Sequence, residues 1–400
     1  MQGSFCIALI FLTGHMTMNR IYALLDKIRR QMNKRLSLLF FFHPVDEKKV
    51  MFFSSRGTYD CNPGCIADEL VKDPSYKLIW VCKKKENLTD TDFPERVVPI
   101  EISTLRFYKE AMTSKVWVDN AAVIGYTMFY KKKEQRMIQT WHGSMGIKRF
   151  DTSKDKKWIR KMKKSASWTD YIISNSSFES GLYRNTFWKD TPILEYGHPR
   201  NDEFFDDEIS QKKIKYAKEK LDLDDSYKYC LYAPTFRDDN DTNAYIKDYA
   251  GICEALKKRF GSEWKIIVRK HFMTGDIKRN ETVIDASDYH DIQDLLLVCD
   301  AGLTDYSSWI CDYALSGKPG FMHCSDYDAY TNERGFLFPL NRLPFPIARS
   351  EEELIGNILS FDEQKYKTDV NRYLKEMGCL EKGTASKKTA EKIKEICSNE

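Results

Sequence analysis

The chain has 400 residues, of which 42% are hydrophobic and 30% are charged, a balance typical of soluble globular proteins. Its 63 basic and 59 acidic residues leave a net charge of only +4, which argues against a dedicated nucleic-acid-binding protein. Any anionic partner must therefore bind a local cluster of cations. The length exceeds that of a single hydrophobic core and predicts two domains.

The eleven cysteines are scattered along the chain and form no CxxC pair. Structural zinc sites need ligands at fixed spacing, so the sequence predicts no zinc site, and we expect no protein-bound metal or other cofactor. Several cysteines, including Cys82, Cys230 and Cys299, lie in apolar runs. We interpret them as reduced core residues of a protein in a cytosolic compartment.

The N-terminal region is predicted to contain a basic amphipathic helix. The apolar run at residues 5–12 is too short to span a bilayer and lacks the preceding basic region of a signal peptide. Apolar residues then recur at helical spacing from Ile21 to Met32, with cations mostly between them. Such a helix either lies on an anionic membrane surface or packs on the protein with a solvated cationic face. The sequence leaves both alternatives open.

Strands and helices alternate from Val50 onwards. In the first half, apolar runs predict strands at residues 50–55, 76–83, 95–100, 115–120, 136–143, 171–176 and 193–197. Helices are predicted between them, at residues 62–72, 103–112 and 178–187. This alternation with short links is typical of a doubly wound parallel sheet.

A polar, acidic stretch from Asp202 to Lys228 separates the halves, and the alternation then restarts. Strands are predicted at residues 227–234, 264–271, 282–287, 301–305 and 319–323, and helices at 243–260, 291–299 and 307–317. The sequence thus predicts an α/β protein with two Rossmann-like, doubly wound domains. Two such domains place a ligand cleft between the C-terminal ends of their strands.

The stretch MIQTWHGSMGIKRF, residues 137–150, places a histidine where a predicted strand gives way to a small-residue loop and two cations. His142 and Gly143 come first, and Lys148 and Arg149 follow. The histidine could pack in the core, bind a metal or act as a base facing an anionic substrate. No HxxxH, HExxH or GxSxG pattern supports a metal site or a serine hydrolase. The position favours a general base over a packing role.

The segment LTDYSSWICDYALSGKP, residues 303–319, predicts a strand end, a hydroxyl-rich turn and a helix. Thr304, Asp305, Ser307 and Ser308 fall in the turn. Hydroxyls and free backbone N–H groups would gather there at a helix N-terminus, an arrangement that suits a phosphate. The alternative is simple N-capping by Asp305 or Ser307.

Other predicted strand ends also carry cations, histidine or hydroxyl groups. Arg269 and His271 are two residues apart on a predicted strand, so their side chains would point together into the cleft and suit a diphosphate. The remaining candidates of this kind are Arg200, Pro234, Thr235 and Arg237.

Several motifs together resemble the CDP-glycerol glycerophosphotransferase family, whose members make teichoic acids and capsule polymers in bacteria. The segments that carry the resemblance, in family order, are FSSRGTYDCNPGCIADEL, QTWHGSMGIKRF, SNSSFES, GHPRNDEF, YAPTFRD, VRKH and LTDYSSWICDYALSGKP. The likeness extends over residues 50–395. It implies a glycosyltransferase-B-like fold that transfers glycerol phosphate or ribitol phosphate from CDP-glycerol or CDP-ribitol and releases CMP. The acceptor hydroxyl would belong to a lipid-linked saccharide or a polyol-phosphate chain.

The resemblance also implies roles for individual residues. His142 falls on the histidine of the family's Trp-His-Gly motif, which implies that it is the base. His271 falls on the second family histidine and would contact the phosphates, while residues 304–308 would hold the donor diphosphate. Basic residues at 154–164 and the N-terminal helix would hold the enzyme peripherally on the cytoplasmic face of the bacterial membrane. The cations proposed for this acceptor and membrane side include Lys156, Lys157, Arg160 and Lys161.

The sequence departs from the family pattern at two places. Residues 143–146 read Gly-Ser-Met-Gly where family members often have Gly-Thr-Pro, which could alter the fit of the acceptor. Residues 380–383 read Leu-Glu-Lys-Gly in place of a common Asp-Asp-Gly.

The predicted organisation has four parts: an amphipathic membrane-proximal segment at 1–47, an acceptor domain at 48–205, a CDP-donor-binding domain at 225–375 and a C-terminal helix at 376–400. Two other functions remain as alternatives. One is a nucleotide-sugar glycosyltransferase of the same architecture, and the other is a non-catalytic membrane module that binds a polyol-phosphate polymer.

Overall fold

A computed structural model of the chain describes residues 18–83, 93–128, 130–149, 156–235, 244–270, 281–333 and 335–398. These residues form two parallel β-sheets with helices packed around them, so the predicted fold class is confirmed. The strands of the first sheet are β1 (Asp46–Phe53), β2 (Lys77–Cys82), β3 (Val97–Glu101), β4 (Ser114–Asp119), β5 (Arg136–Gln139), β6 (Tyr171–Ile173) and β7 (Ile193–Leu194). Those of the second are β8 (Tyr227–Tyr232), β9 (Glu263–Val268), β10 (Val283–Asp285), β11 (Ala301–Thr304), β12 (Gly320–His323) and β13 (Ile347–Ala348).

Both sheets have the strand order of a doubly wound fold. The first runs β3-β2-β1-β4-β5-β6-β7 and the second β10-β9-β8-β11-β12-β13. The order reverses between β1 and β4 in one sheet and between β8 and β11 in the other. Ligands of such sheets bind outside the C-terminal strand ends at these reversal points.

Helices cover both faces of the sheets. In the first half and in the acidic stretch between the halves, the helices are α1 (Met18–Leu36), α2 (Cys61–Leu70), α3 (Leu105–Thr113), α4 (Val123–Thr127), α5 (Lys156–Ala166), α6 (Ser177–Arg184) and α7 (Asp207–Leu221). In the second half they are α8 (Tyr249–Phe260), α9 (Ile292–Val298), α10 (Trp309–Tyr313), α11 (Tyr327–Glu333), α12 (Glu351–Leu359), α13 (Glu363–Glu376) and α14 (Ala385–Ser398). Within the described ranges, none of the helices combines the length and apolar character needed to cross a bilayer.

The central strands are buried on both faces, which explains their unbroken apolar runs. Val50 and Phe52 of β1 pack into one cluster, while Met51 and Phe53 pack into another on the opposite face. Ile393 of the C-terminal helix α14 belongs to the first of these clusters. The end of the chain therefore packs against the first sheet after the second sheet is complete.

The acidic stretch between the halves is largely a helix. Asp206 caps α7 by accepting a hydrogen bond from the N–H of Ile209 at 3.0 Å. Acidic residues fill its first turn and Lys218 and Lys220 its last turn, as the helix dipole favours. The polar composition of the segment reflects a helix with only Ala217 fully buried.

Candidate active site

The two sheets share one cleft at the C-terminal ends of their strands. It has a volume of about 990 Å³ and is lined by residues of both halves. From the first half it includes Ser55, Arg56, Asp60, His142, Gly143, Lys148, Arg149 and Arg200. From the second half it includes Arg269, Asp291, Ser307 and Ser308. Eight residues that the sequence predicted for the site therefore line one cleft.

His142 is held in one tautomer by the backbone. Its Nδ1 lies 2.6 Å from the carbonyl oxygen of Asn120, at the end of β4. A carbonyl only accepts hydrogen bonds, so Nδ1 carries the proton and Nε2 keeps its lone pair. The indole of Trp141 contacts the imidazole in a tilted arrangement, with ring centroids 4.6 Å apart and planes at 37°.

The environment of His142 favours its neutral form. The ring is accessible from the cleft, but the surrounding protein desolvates it, and this burial lowers the pKa of His142. The carbonyl of Asn120 opposes this shift, while the cations of Arg200 and Lys148 add to it. Burial and positive neighbours both disfavour imidazolium, so Nε2 is available to accept a proton near neutral pH.

His142 does not lie on a strand, and the predicted strand at 136–143 is wrong at its C-terminal end. β5 ends at Gln139, whose side-chain oxygen accepts the N–H of Trp141 at 2.9 Å and turns the chain away from the sheet. Trp141 itself adopts a left-handed conformation with φ of +52°. The histidine is thus presented by a loop three residues past the strand.

The loop after His142 is tied to the second half of the chain. Leu337 N–H donates to the carbonyl of Ile147 at 3.0 Å, and Arg149 N–H donates to the carbonyl of Gly335 at 3.3 Å. Lys148 forms an antiparallel bridge with Phe336. The two cations predicted beside the histidine are therefore positioned by backbone pairing across the cleft.

Arg200 connects the loop of His142 with the second half. Its side chain is buried, and its Nη2 donates to the carbonyl of Gly143 at 2.8 Å and to Asp312 Oδ2 at 3.0 Å. Nε also donates to Asp312, at 3.2 Å, and Nη1 approaches the sulfur of Cys61 at 3.6 Å. All three guanidinium nitrogens thus contact protein atoms. This arrangement favours a positioning role beside the donor-binding role that the sequence predicts.

The second half supplies a cation to the cleft. Arg269 follows β9 and donates through Nε to the carbonyl of Tyr289 and through Nη2 to those of Tyr289 and His290, at 3.0–3.2 Å. Burial and the nearby cation of Arg56 lower the pKa of Arg269 to about 9, which still leaves it charged at neutral pH. A bound anion between these cations would relieve their repulsion.

The hydroxyl-rich turn divides into two layers. Ser307 and Ser308 line the cleft, whereas Thr304 and Asp305 lie behind it. Thr304 Oγ1 donates to the carbonyl of Ala233 at 2.8 Å, and Asp305 Oδ1 accepts the N–H of Thr235 at 2.8 Å. The hidden layer therefore joins the ends of β8 and β11 and shapes the turn.

Simple N-capping does not account for the turn. Ser308 occupies the N-cap position of α10, but its side chain makes no capping hydrogen bond. The alternative in which Asp305 or Ser307 caps the helix is therefore wrong. Pro234 and Thr235 follow β8 without lining the cleft, while Arg237 and His271 lie outside the described residues.

The cations of α5 do not line the cleft. Lys156, Lys157, Arg160 and Lys161 lie on this helix, and it lines the cleft through Trp158. Their predicted acceptor or membrane role stays a prediction.

Five acidic residues line the cleft, and none of them was predicted from the sequence: Asp60, Glu179, Asp291, Asp312 and Glu333. Asp60 precedes α2 and accepts hydrogen bonds from Ser54 at 2.5 Å and Thr58 at 2.6 Å, and Asp291 precedes α9. Burial, and after it the charge of Asp291, raises the pKa of Asp60 to about 6. In the sequence, Asp60 and Asp291 are each a single aspartate before a helix, a pattern that normally indicates only an N-cap.

Residues 35–395 match the model of the family CDP-Glycerol:Poly(glycerophosphate) glycerophosphotransferase. The chain belongs to this glycerophosphotransferase family. It is 29% identical over 383 residues to a teichoic acid poly(glycerol phosphate) polymerase of Staphylococcus epidermidis, covering 90% of this chain and 52% of that protein. A polymerase of the same name from Bacillus spizizenii is 28% identical over 372 residues, covering 88% of this chain and 93% of the relative. The chain thus spans about half the length of one glycerophosphotransferase relative and nearly all of another.

A solved structure shows the same fold. The wall teichoic acid polymerase TagF matches with a TM-score of 0.79 and 26% identity, covering 95% of this chain and 99% of that chain. A variant of TagF soaked with CDPG matches with the same TM-score. The family resemblance inferred from the motifs and the glycosyltransferase-B-like fold that it implied are confirmed.

Proposed function

We propose that this chain transfers glycerol phosphate from CDP-glycerol to a hydroxyl group of a lipid-linked saccharide or a polyol-phosphate chain and releases CMP. The observation that carries the proposal is the position of His142, whose Nδ1 is held by the carbonyl of Asn120 and which lines a cleft together with cations of both halves. Family membership supports the reaction class. The glycerol phosphate named for both relatives supports CDP-glycerol as the first donor to test, with CDP-ribitol second.

The proposed chemistry needs a base and a set of anion-binding groups. The acceptor oxygen attacks the phosphorus that carries the glycerol, and His142 Nε2 takes its proton. The new P–O bond forms as the bond from that phosphorus to the bridging oxygen breaks, and CMP leaves with the electron pair. Arg269, Ser307 and Ser308 can stabilise the developing charge on the diphosphate.

The decisive experiment measures CMP release from CDP-glycerol and CDP-ribitol with and without a lipid-linked disaccharide acceptor. We expect acceptor-dependent CMP from CDP-glycerol. A nucleotide-sugar glycosyltransferase would instead release a nucleoside diphosphate from a UDP-sugar and leave both CDP compounds intact. Acceptor binding without turnover of any donor would support the non-catalytic module.

We further propose that α1 and the segment after it dock on an anionic membrane surface. On α1, Tyr22 is 63% exposed and Met32 is 58% exposed, and cations alternate with the apolar residues; after α1, Phe42 is 90% exposed. The helix also packs on the protein, because Asn33 Nδ2 donates to the carbonyl of Ser103 at 2.9 Å. The packing alternative is therefore observed for part of this helix, and the membrane alternative is the one proposed here. A helix held to the protein by one side and apolar on the other suits an interfacial position.

The replacement Met32→Asp should weaken binding to vesicles of phosphatidylglycerol and phosphatidylcholine, since it places a carboxylate in the apolar contact. Co-sedimentation measures the bound fraction. Leu359→Asp is the matched control, because Leu359 is 45% exposed on α12 in the second half. Equal sedimentation of the two variants would contradict membrane docking by α1.

A further inference from the structure

A second cavity, of about 550 Å³, lies between α1 and the C-terminal edge of the first sheet. We name it the α1 cavity. Arg30 and Lys34 of α1 form one wall, and Lys83, just past β2, forms another. The remaining polar wall comes from Gln31, Ser103, Tyr108 and Thr127. Its volume is within the range of small-molecule sites.

The α1 cavity is strongly cationic. Among its described lining residues, the charged side chains are Arg30, Lys34 and Lys83, and none is acidic. Burial lowers the pKa of Lys34, and the cation of Lys164 lowers it further. Burial likewise lowers the pKa of Lys83, against the opposing charges of Asp119 and Asp60. Positive charges are thus crowded at partly desolvated positions, where an anion would stabilise them.

Hydroxyl groups complete the polar lining. Ser103 and Tyr108 are buried beside the cations. Thr127 lies at the end of α4, and its Oγ1 donates to the carbonyl of Ile124 at 3.1 Å, so it can only accept a further hydrogen bond. An arginine fork, lysine ammonium groups and hydroxyl donors are the groups that proteins use to bind phosphate. The chemistry of the α1 cavity therefore points to a phosphate ester or a diphosphate.

The α1 cavity and the catalytic cleft share a wall. Lys83, in the cavity, donates from Nζ to the carbonyl of Ser55, which lines the cleft. The N–H of Ser55 donates to Asn120 Oδ1 at 2.7 Å, and the carbonyl of Asn120 accepts from His142 Nδ1 at 2.6 Å. Ala121, the next residue, lines the cavity. A phosphate in the cavity is therefore separated from the base by two strand-end loops.

We propose that the α1 cavity binds a phosphate or diphosphate group of the acceptor, so that the hydroxyl end of the same molecule reaches His142 in the cleft. This inference rests on the proposed function and adds to it a second anion site for the acceptor. The location suits a lipid-linked molecule, because α1 forms the cavity wall and also carries the exposed apolar residues Tyr22, Ile28 and Met32. The same phosphate chemistry occurs in lipid headgroups, so the experiment must separate the two sources.

The test compares Lys34→Ala with Lys27→Ala. Both remove one ammonium group from α1, but Lys27 is exposed and does not line the cavity. With a water-soluble, short-chain diphosphate disaccharide as acceptor, we expect Lys34→Ala to raise the acceptor KM about tenfold or more through the loss of a charge-assisted contact. We expect the KM for CDP-glycerol to stay unchanged, and Lys27→Ala to behave as wild type. Arg30→Ala should reproduce the effect if Lys34→Ala folds poorly.

Vesicle binding separates acceptor from headgroup. If the cavity holds the acceptor, Lys34→Ala should bind phosphatidylglycerol vesicles as well as wild type does. Loss of vesicle binding in Lys34→Ala with an unchanged KM for the soluble acceptor would assign the cavity to a headgroup and overturn the proposal. Unchanged KM and unchanged vesicle binding in both Lys34→Ala and Arg30→Ala would also overturn it. Wild type that releases no CMP would contradict the proposed function itself, which is a separate outcome.

Discussion

Replacing His142 by alanine is expected to lower the rate of CMP release by about 10²–10⁴-fold, the usual contribution of a positioned general base. The affinity for CDP-glycerol should change little, because the cations and hydroxyls of the second half are left in place. Single-turnover kinetics with saturating donor and acceptor measure the chemical step, and equilibrium binding of CDP-glycerol measures the affinity. His43→Ala is the matched control, since His43 lies outside the cleft and is exposed.

The pH dependence gives the same prediction an independent check. The base must be neutral, so kcat/KM should rise as the pH passes upward through the pKa of His142 and stay high above it. Burial lowers this pKa from its usual value, so the acidic limb should lie below about 6.5. Loss of this limb in the remaining activity of His142→Ala would support the assignment. An unchanged limb in the variant, or full turnover, would assign the base to another group.

The fold was predictable from the sequence because the central strands are uninterrupted apolar runs. Residues Val50–Phe53 are apolar without interruption since both faces of β1 are buried, and this is the pattern of a parallel sheet. Strand ends were less predictable. β5 stops at Gln139 because the side chain of Gln139 accepts the N–H of Trp141, and an apolar run contains no signal for that competition.

The site was only partly predictable, for a physical reason. Motifs reveal which groups follow a strand, and His142, Ser307 and Ser308 indeed line one cleft. They do not reveal which of these groups form hydrogen bonds with residues that are distant in the sequence. Asp305 belongs to the same motif as the serines, but its Oδ1 accepts a hydrogen bond from the N–H of Thr235. Such pairing depends on three-dimensional packing between elements that are far apart in sequence.

Among such buried contacts between distant residues, we expect the ion pair of Arg200 to contribute most to stability. Its partner Asp312 is only 2% exposed, and Asp312 Oδ2 accepts from both Nε and Nη2 of the guanidinium. Arg200→Ala would leave a buried carboxylate without its cation, which should cost about 3–5 kcal/mol of unfolding free energy. Urea denaturation measures this loss. The carbonyl of Gly143 would lose its donor as well, so we expect kcat to fall because the loop of His142 is less firmly held.

A double variant separates the two effects. Arg200→Met with Asp312→Leu removes the buried charge together with its partner, and a well-packed apolar pair can replace a buried ion pair at little cost in stability. Asn201, which loses its contact with Asp312, keeps the hydrogen bond from its Nδ2 to Glu381 at 2.7 Å. We therefore expect the double variant to regain stability while kcat stays low, because neither substitution restores the donor to Gly143. If Arg200 instead binds the donor directly, the KM for CDP-glycerol should rise while kcat at saturation is preserved. A stability equal to wild type in Arg200→Ala would contradict the structural role altogether.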